Sequence, residues 1–304
     1  MSIFTVLERD EIQRLATAFG AGEVAGFSGI HEGVENTNYR VVTTRGEFVL
    51  TVLEAVPPAG ARFCLEVMEQ LAQHRLPAPR PLRLRSGKFI ATARGKPMAM
   101  VRYLHGTHPG NVETGHCSTI GTALARMHQA LAQWPVRRRN PRGPTWRRTT
   151  AARVRPRLSA ADQALLDRAL DIAQRFDRRP LPRGIIHADL FRDNALFVGD
   201  KLTGVLDFFY ACDGALIYDL AVAAIDWCRD ADTVDAARSR ALIDSYQERR
   251  LLSQAELRIW PGAVTTAALR FWLSRLADKH FPRPGLDVQV KDPEEFGALL
   301  RGLV

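Results

Sequence analysis

His187-Ala188-Asp189-Leu190-Phe191-Arg192-Asp193-Asn194, followed thirteen residues after Asn194 by Asp207 in Gly204-Val205-Leu206-Asp207-Phe208, is the stretch whose reading decides the fold. Short apolar runs flank it: GIIH before, and NALFVGDKLTGVLDF after with a Gly199–Asp200 turn. Both read as strands, so the polar residues fall on a loop and on a neighbouring hairpin. Phosphoryl transfer needs a carboxylate near the attacking hydroxyl and oxygen ligands for the magnesium that neutralises charge on the triphosphate. An Asp and an Asn five residues apart, with a second Asp from the hairpin, supply those groups. The alternative is that they are ordinary turn formers, since Asp and Asn favour turns; the complete spacing with its flanking strands argues against it.

Upstream, three runs rich in Val, Phe, Ile and Thr between Val24 and Glu54, separated by HEGVEN and TTRGE, predict an antiparallel sheet with a tight turn at Arg45–Gly46. A short helix precedes them over 10–20, with Ile12, Leu15 and Phe19 on one face. Another is expected over 62–75, carrying Cys64, Val67, Met68 and Leu71 and ended by LPAPRP. GKFIATARGKPMAMVRYLHG predicts two more strands. Downstream the pattern turns helical: Ser118 is placed as the cap of a helix through Ile120, Leu124, Met127 and Leu131, and Ser159-x-x-Asp162 opens another. From Leu216 onward helices are expected, broken at Pro261 and at 282–285. Trp227, Phe271 and Trp272 are assigned to the core.

Composition sets outer limits. With 46% hydrophobic and 25% charged residues over 304 positions, the chain suits an ordinary globular protein of two lobes. Glu8, Asp10 and Glu11 interrupt the N-terminal apolar run, and no stretch is long enough to span a membrane, so neither a signal peptide nor insertion is expected. Four scattered cysteines, Cys64, Cys117, Cys212 and Cys228, form no CxxC pair, which points to reduced thiols and a cytoplasmic setting. Nine arginines between 137 and 157 account for the whole formal excess of +9. That segment is expected to be a solvated, proline-broken connector rather than a polyanion surface, because no nucleic-acid motif accompanies it.

HADLFRDN with LDF resembles the catalytic loop and metal-binding motif of protein-kinase-like folds, in the aminoglycoside phosphotransferase branch. The resemblance runs over nearly the whole chain. It implies an α+β, bilobal fold: an N-terminal antiparallel-sheet, nucleotide-binding lobe over 1–103 and a mainly helical catalytic and substrate lobe over 104–304. ATP and Mg2+ are the implied cofactors. Asp189 is the implied base or hydroxyl-orienting group, Asn194 and Asp207 the metal ligands, with His187 structural and Asp219 bracing the loop. GVENTNYRV lies where the family covers the phosphates, giving Gly33, Val34, Glu35, Asn36, Thr37 and Asn38 as phosphate contacts. Arg102, Tyr103 and Leu104 fall at the interlobe hinge that pairs with adenine, although a buried strand accounts equally for these residues.

The family's strand lysine aligns with Thr51, and no lysine precedes Lys88, so its paired glutamate, Glu66, has no assigned partner. Arg40, Lys88 and Lys96 are the candidates to replace it. The pattern is most similar to the homoserine kinases of this branch, through GVENTNYRV with FVLTVLE, through the catalytic segment, and through ALRFWLSRLADKHFPRPG with KDPEEF. Those kinases are also expected to carry threonine at this position. A small amino-acid substrate is therefore implied, with a monomer or homodimer and no membrane partner. Its carboxylate calls for a cation, drawn from Arg270 and Arg275, and its ammonium for an acid, drawn from Asp213 and Asp226. A kinase of choline, aminoglycoside or methylthioribose type, and a non-catalytic nucleotide-binding protein, remain the alternatives.

Overall fold

A computed structural model describes residues 4–30, 36–54, 57–282 and 291–304. These form two compact units divided between His105 and Gly106.

The first unit is built on a five-stranded antiparallel sheet of order β1 (Val24–Ile30), β2 (Thr37–Thr43), β3 (Gly46–Val52), β5 (Lys96–Arg102), β4 (Ala91–Ala93). Strand alternation puts Tyr39, Val41, Phe48, Leu50, Val52, Met98 and Met100 in one buried cluster, which α1 (Arg9–Ala18) closes with Ile12, Leu15 and Ala16. The opposite pleats carry Asn38, Arg40, Val49, Thr51, Ala99 and Val101, in register Asn38↔Thr51↔Ala99 and Arg40↔Val49↔Val101. The hairpin register Thr43↔Gly46 makes Thr44 and Arg45 the turn, one residue earlier than the sequence suggests, with Gly46 at φ +120° opening the next strand. α2 (Pro58–Gln73) starts on a proline at its first position and buries Cys64, Val67, Met68 and Leu71, as its stripe requires.

The second unit holds the loop between β6 (Arg183–Ile186) and β7 (Ala195–Val198), and the turn between β8 (Lys201–Val205) and β9 (Cys212–Ala215). β6 pairs with β9 and β7 with β8, so both polar segments connect the same two antiparallel strand pairs. Gly106, at φ +146°, admits no side chain: a Cβ there would stand 2.6 Å from Thr203 Oγ1 and 2.9 Å from the Phe197 carbonyl. Thr107 and Phe197 exchange two backbone bonds of 2.9 Å beside it, tying the segment leaving the first unit onto β7.

Helices enclose this framework. α3 (Thr114–Ala130) begins before Ser118, because Glu113 and His116 cap it reciprocally, and Ser118 sits inside it. α4 (Pro144–Val154) corrects the expected connector: the middle of the arginine-rich segment is a helix whose Arg147 is buried and ion-paired with Asp177. α5 (Ala160–Asp177) opens as expected, Ser159 Oγ accepting from the Asp162 N–H at 3.1 Å. α6 (Leu216–Trp227) is buried over all twelve residues. α8 (Gln254–His280), which follows α7 (Ala236–Gln247), runs unbroken through Pro261 and packs on α4, α5, α6 and α9 (Glu294–Leu303). The carbonyl that loses its i+4 donor to this proline is that of Leu257, one backbone bond in a 27-residue helix. Trp227, Phe271 and Trp272 are all buried.

Candidate active site

The loop 187–194 is held from beneath by one carboxylate. Asp219, fully buried in the first turn of α6, accepts from the His187 N–H at 2.8 Å and the Ala188 N–H at 2.7 Å, while His128 donates to it from α3 at 3.1 Å. Burial pushes its carboxyl up, but the hydrogen bond from His128, with the N–H of His187, outweighs this and keeps it below the ordinary value. Ala188 has φ +65°, a left-handed conformation a non-glycine residue holds only when surrounding bonds enforce it. Asp219 supplies those bonds.

His187 is buried and its pKa is driven down, chiefly by burial. Its Nε2 donates to the Leu206 carbonyl at 2.9 Å, and its Nδ1 accepts from the Asp189 N–H at 3.2 Å. The neutral ring thus joins the loop to the residue preceding Asp207, with Phe208 packed against it at 4.7 Å. Trp227 adds a second anchor, its Nε1–H donating to the Leu190 carbonyl at 3.0 Å.

Asp189 Oδ1 accepts from Arg270 Nη1 at 2.8 Å. Asn194 donates its amide to the Asp189 backbone carbonyl at 2.8 Å, which orients the side chain and leaves its oxygen available as a ligand. The Asn194 carbonyl accepts from the Leu206 N–H at 2.8 Å, so loop and turn are locked together. Asp207 is exposed, in a left-handed conformation at φ +54°, and accepts from the Phe209 N–H. Asn194 and Asp207 present oxygen donors of the kind a hard cation would take.

The turn after Asp207 is clamped by the arginine-rich segment. Arg138 donates to the carbonyls of Phe209 and Ala211 at 2.6 and 3.1 Å, and Arg142 to the Tyr210 hydroxyl at 3.0 Å. Arg137 pairs with Asp213, Arg155 with Asp167, and Arg153 lies over Phe281. Most of the positive segment is therefore spent inside the second unit.

Of the proposed substrate residues, the structure brings only Arg270 to Asp189. Arg275 pairs with Glu295 and lies over Phe296, bracing α9. Asp213 on β9 is bound by Arg183 at 2.7 Å. Asp226, its carboxyl raised by burial, accepts from the Arg192 N–H at 2.7 Å and also meets its guanidinium. A cavity of about 510 Å³ between α4, the end of α5 and β9 is lined by Arg139, Trp146, Arg147, Asp213 and Tyr218, and not by Asp189, Asn194 or Asp207.

In the first unit, Gly33, Val34 and Glu35 lie outside the described residues. Asn36 and Thr37 are buried and bound to Glu54, which Lys96 also holds at 2.5 Å; Asn38 accepts from the Thr51 hydroxyl at 2.7 Å. Glu66 pairs with Arg62 one turn earlier on α2 instead of with a strand cation. Arg40 shares the Thr51 face of the sheet, bonded to Glu47 at 2.8 Å and lying over Tyr103 at 4.7 Å. The N–H groups of Arg102 and Tyr103 are taken by the Arg80 and Glu47 carbonyls, whereas that of Leu104 bonds to no described residue. Sequence reasoning did not single out Arg138, Arg142, Tyr210 or His128; the density of arginines was the only signal available for the first two.

A sheet lobe, a braced HxD loop and the Asp207 turn locked to that loop define a phosphotransferase of the protein-kinase-like fold. Residues 26–252 match the phosphotransferase enzyme family. Full-length relatives include homoserine kinases of Methylobacillus flagellatus, 44% identical over 99% of this chain and 95% of theirs, and of Neisseria meningitidis serogroup B, 38% identical over the whole of both. An amicoumacin kinase solved with AMP-PNP, Ca2+ and Ami has a TM-score of 0.73 at 14% identity, covering 98% of this chain and 92% of its own. The chain belongs to the homoserine kinases of the phosphotransferase enzyme family.

Proposed function

We propose that the chain transfers the γ-phosphoryl group of ATP to the side-chain hydroxyl of L-homoserine, giving ADP and O-phospho-L-homoserine. The observation that carries the chemistry is the Asp189 carboxylate, fixed at one oxygen by Arg270 2.8 Å away, on the loop that also presents Asn194. With Oδ1 held by Arg270 and Oδ2 met only by a long 3.4 Å bond from the Asn194 amide, Oδ2 is the less committed oxygen and the one offered to the acceptor hydroxyl. It orients that group and takes its proton as the oxygen–phosphorus bond forms and the bond to the β-phosphate bridging oxygen breaks. Because the transition state is loose, orientation counts for more than basicity, and an ion-paired carboxylate is adequate. Mg2+ held by Asn194 and Asp207 would neutralise charge on the phosphates. In the first unit, the Leu104 N–H is the hinge donor available to adenine, and Asn38 the described phosphate-hairpin residue nearest in sequence to the Thr51 position.

The choice of acceptor rests on the full-length relatives named homoserine kinase. Coupled ADP release with L-homoserine, choline and kanamycin tests the reading, with phosphorus NMR of the product. L-homoserine should give kcat/KM at least about a hundredfold above the others, since an unpaired buried cation costs roughly 2–5 kcal/mol. Faster turnover of choline or kanamycin would overturn the acceptor while leaving the phosphotransferase reading in place. ADP release no greater than the ATPase background with every acceptor would favour a non-catalytic nucleotide-binding protein.

A further inference from the structure

The cavity of about 510 Å³ between α4, the end of α5 and β9 is lined by none of Asp189, Asn194 and Asp207, and its walls favour one kind of ligand. Its volume is within the roughly 300–1,000 Å³ of small-molecule sites. The eleven-residue helix α4 starts at its edge: Gly143, Pro144, Thr145 and Trp146 all line the space, no side chain caps the helix, and the N–H groups of Thr145 and Trp146 bond to no described residue. An uncapped helix start presents N–H donors and partial positive charge, which suits an anion. The side chains add to that charge. Four arginines line the cavity, Arg139, Arg147, Arg179 and Arg183, against two acids, Asp177 and Asp213. Arg147 pairs with Asp177 and Arg183 with Asp213, which leaves Arg139 and Arg179 uncompensated. Among the described residues the Arg139 side chain bonds only to the neutral Thr145 hydroxyl, at 3.2 Å, and that of the exposed Arg179 bonds to none.

Tyr218 supplies a second, independent sign of a ligand. It is only 5% exposed, its ring lies 6.0 Å from that of Phe176, and its hydroxyl bonds to no described residue. No fully buried side-chain oxygen among the described residues lacks a partner, so this hydroxyl keeps solvent access, and the cavity that Tyr218 lines is where that access lies. A nearly buried hydroxyl without a protein partner is a group that a bound molecule can satisfy. We propose that the cavity is a binding site for a small organic anion, separate from the catalytic centre: a carboxylate or phosphate head meets the α4 N–H groups with Arg139 and Arg179, and a short body reaches the Tyr218 hydroxyl. The planar guanidinium forks suit either head, and the apolar wall of Trp146, Phe176 and Leu181 suits a body with little polarity of its own. The site stands whichever alcohol the catalytic centre phosphorylates.

Isothermal titration calorimetry on the full chain, with Mg2+ and AMP-PNP present, tests this with three probes: benzoate, phenyl phosphate and the neutral benzyl alcohol. One of the two anions should bind at least about tenfold more tightly than benzyl alcohol, as a charge-assisted contact provides. Benzoate ahead would assign a carboxylate ligand and phenyl phosphate ahead a phosphate ester, and either upholds the site. Arg139→Gln and Arg179→Gln should each weaken the preferred anion about five- to tenfold, and Tyr218→Phe about threefold, the loss of one neutral hydrogen bond. Tyr218→Phe should also leave the urea midpoint in place, because its hydroxyl holds nothing in the described fold. A lowered midpoint would show the hydroxyl engaged within the protein and overturn its role. Benzyl alcohol binding as tightly as the anions, no binding by either anion, or affinities unmoved in all three variants would overturn the site. So would displacement of the anion by saturating L-homoserine, which would make the cavity part of the acceptor pocket.

Discussion

Asp219 is the residue on which the catalytic loop's shape depends most, and replacing it separates a brace from a bystander. In Asp219→Ala three donors lose their acceptor: the His187 and Ala188 N–H groups, at 2.8 and 2.7 Å, and His128 Nε2 at 3.1 Å. Each buried donor left unpaired costs about 1–3 kcal/mol, so the total is roughly 3–9 kcal/mol, comparable with the roughly 5–15 kcal/mol that holds a domain together. The left-handed Ala188, worth about 1–3 kcal/mol of strain, would also be released into a more relaxed conformation. Asp219→Ala is therefore expected to fail to fold at 37 °C. Asp219→Asn is the informative variant: its single oxygen keeps one of the two backbone bonds and its charge is gone, for a loss of about 2–4 kcal/mol. Urea unfolding should show a lowered midpoint with unchanged slope, and kcat should fall tenfold or more, because Asp189 follows directly after the freed segment. A variant within about 0.5 kcal/mol of wild type and within threefold in kcat would refute the brace.

Asp189→Asn should retain ATP binding while kcat falls a hundredfold or more, about 3 kcal/mol, as loss of a positioned carboxylate requires; turnover within about threefold of wild type would remove the role. Asparagine is preferable to alanine because it leaves Arg270 an acceptor. Asp207→Ala should abolish metal-dependent activity, and Asn194→Ala should raise the magnesium requirement with the circular dichroism spectrum intact; superimposable magnesium titrations would contradict the assignment. His187, its pKa depressed by burial, binds fewer protons folded than unfolded, so its contribution is present above the unfolded value near 6.5 and is lost as pH falls below it. His187→Gln should accordingly flatten the drop in urea midpoint between pH 7.5 and 5.5, and an unchanged slope would show that another group is responsible. Asp219, with its pKa held down, acts only further into acid, below the ordinary value of 3.8.

What the sequence determined by itself is what local sterics and periodicity control. The alternation in β2 and β3 declared which side chains enter the core, and Gly199, at φ +56°, marked the hairpin that carries Asp207. Ser159 declared the start of α5. The spacing of Asp189, Asn194 and Asp207 was legible because a loop and a two-residue hairpin place those residues within a short span of chain. Three local readings gave way to packing or to an earlier signal. Pro261 sits inside α8, which its packing on α4, α5, α6 and α9 keeps intact, Glu113 and His116 start α3 ahead of Ser118, and the arginines of 137–157 became a helix and its clamps once acids and carbonyls of other elements met them.

Tertiary structure alone chose the partners of the buried charges. Asp189 and Arg270 are 81 residues apart, and Asp219 and His128 are 91; nothing in either neighbourhood marks its partner. Sequence placed Arg270, Arg275, Asp213 and Asp226 on equal terms as substrate groups, whereas packing gave Arg275 to Glu295, Asp213 to Arg183 and Asp226 to Arg192, and brought Arg270 to Asp189. The physical reason is that backbone preferences act over a few residues, while a desolvated charge must find its counter-charge wherever the fold brings one, and that is settled only when α6 and α8 pack together.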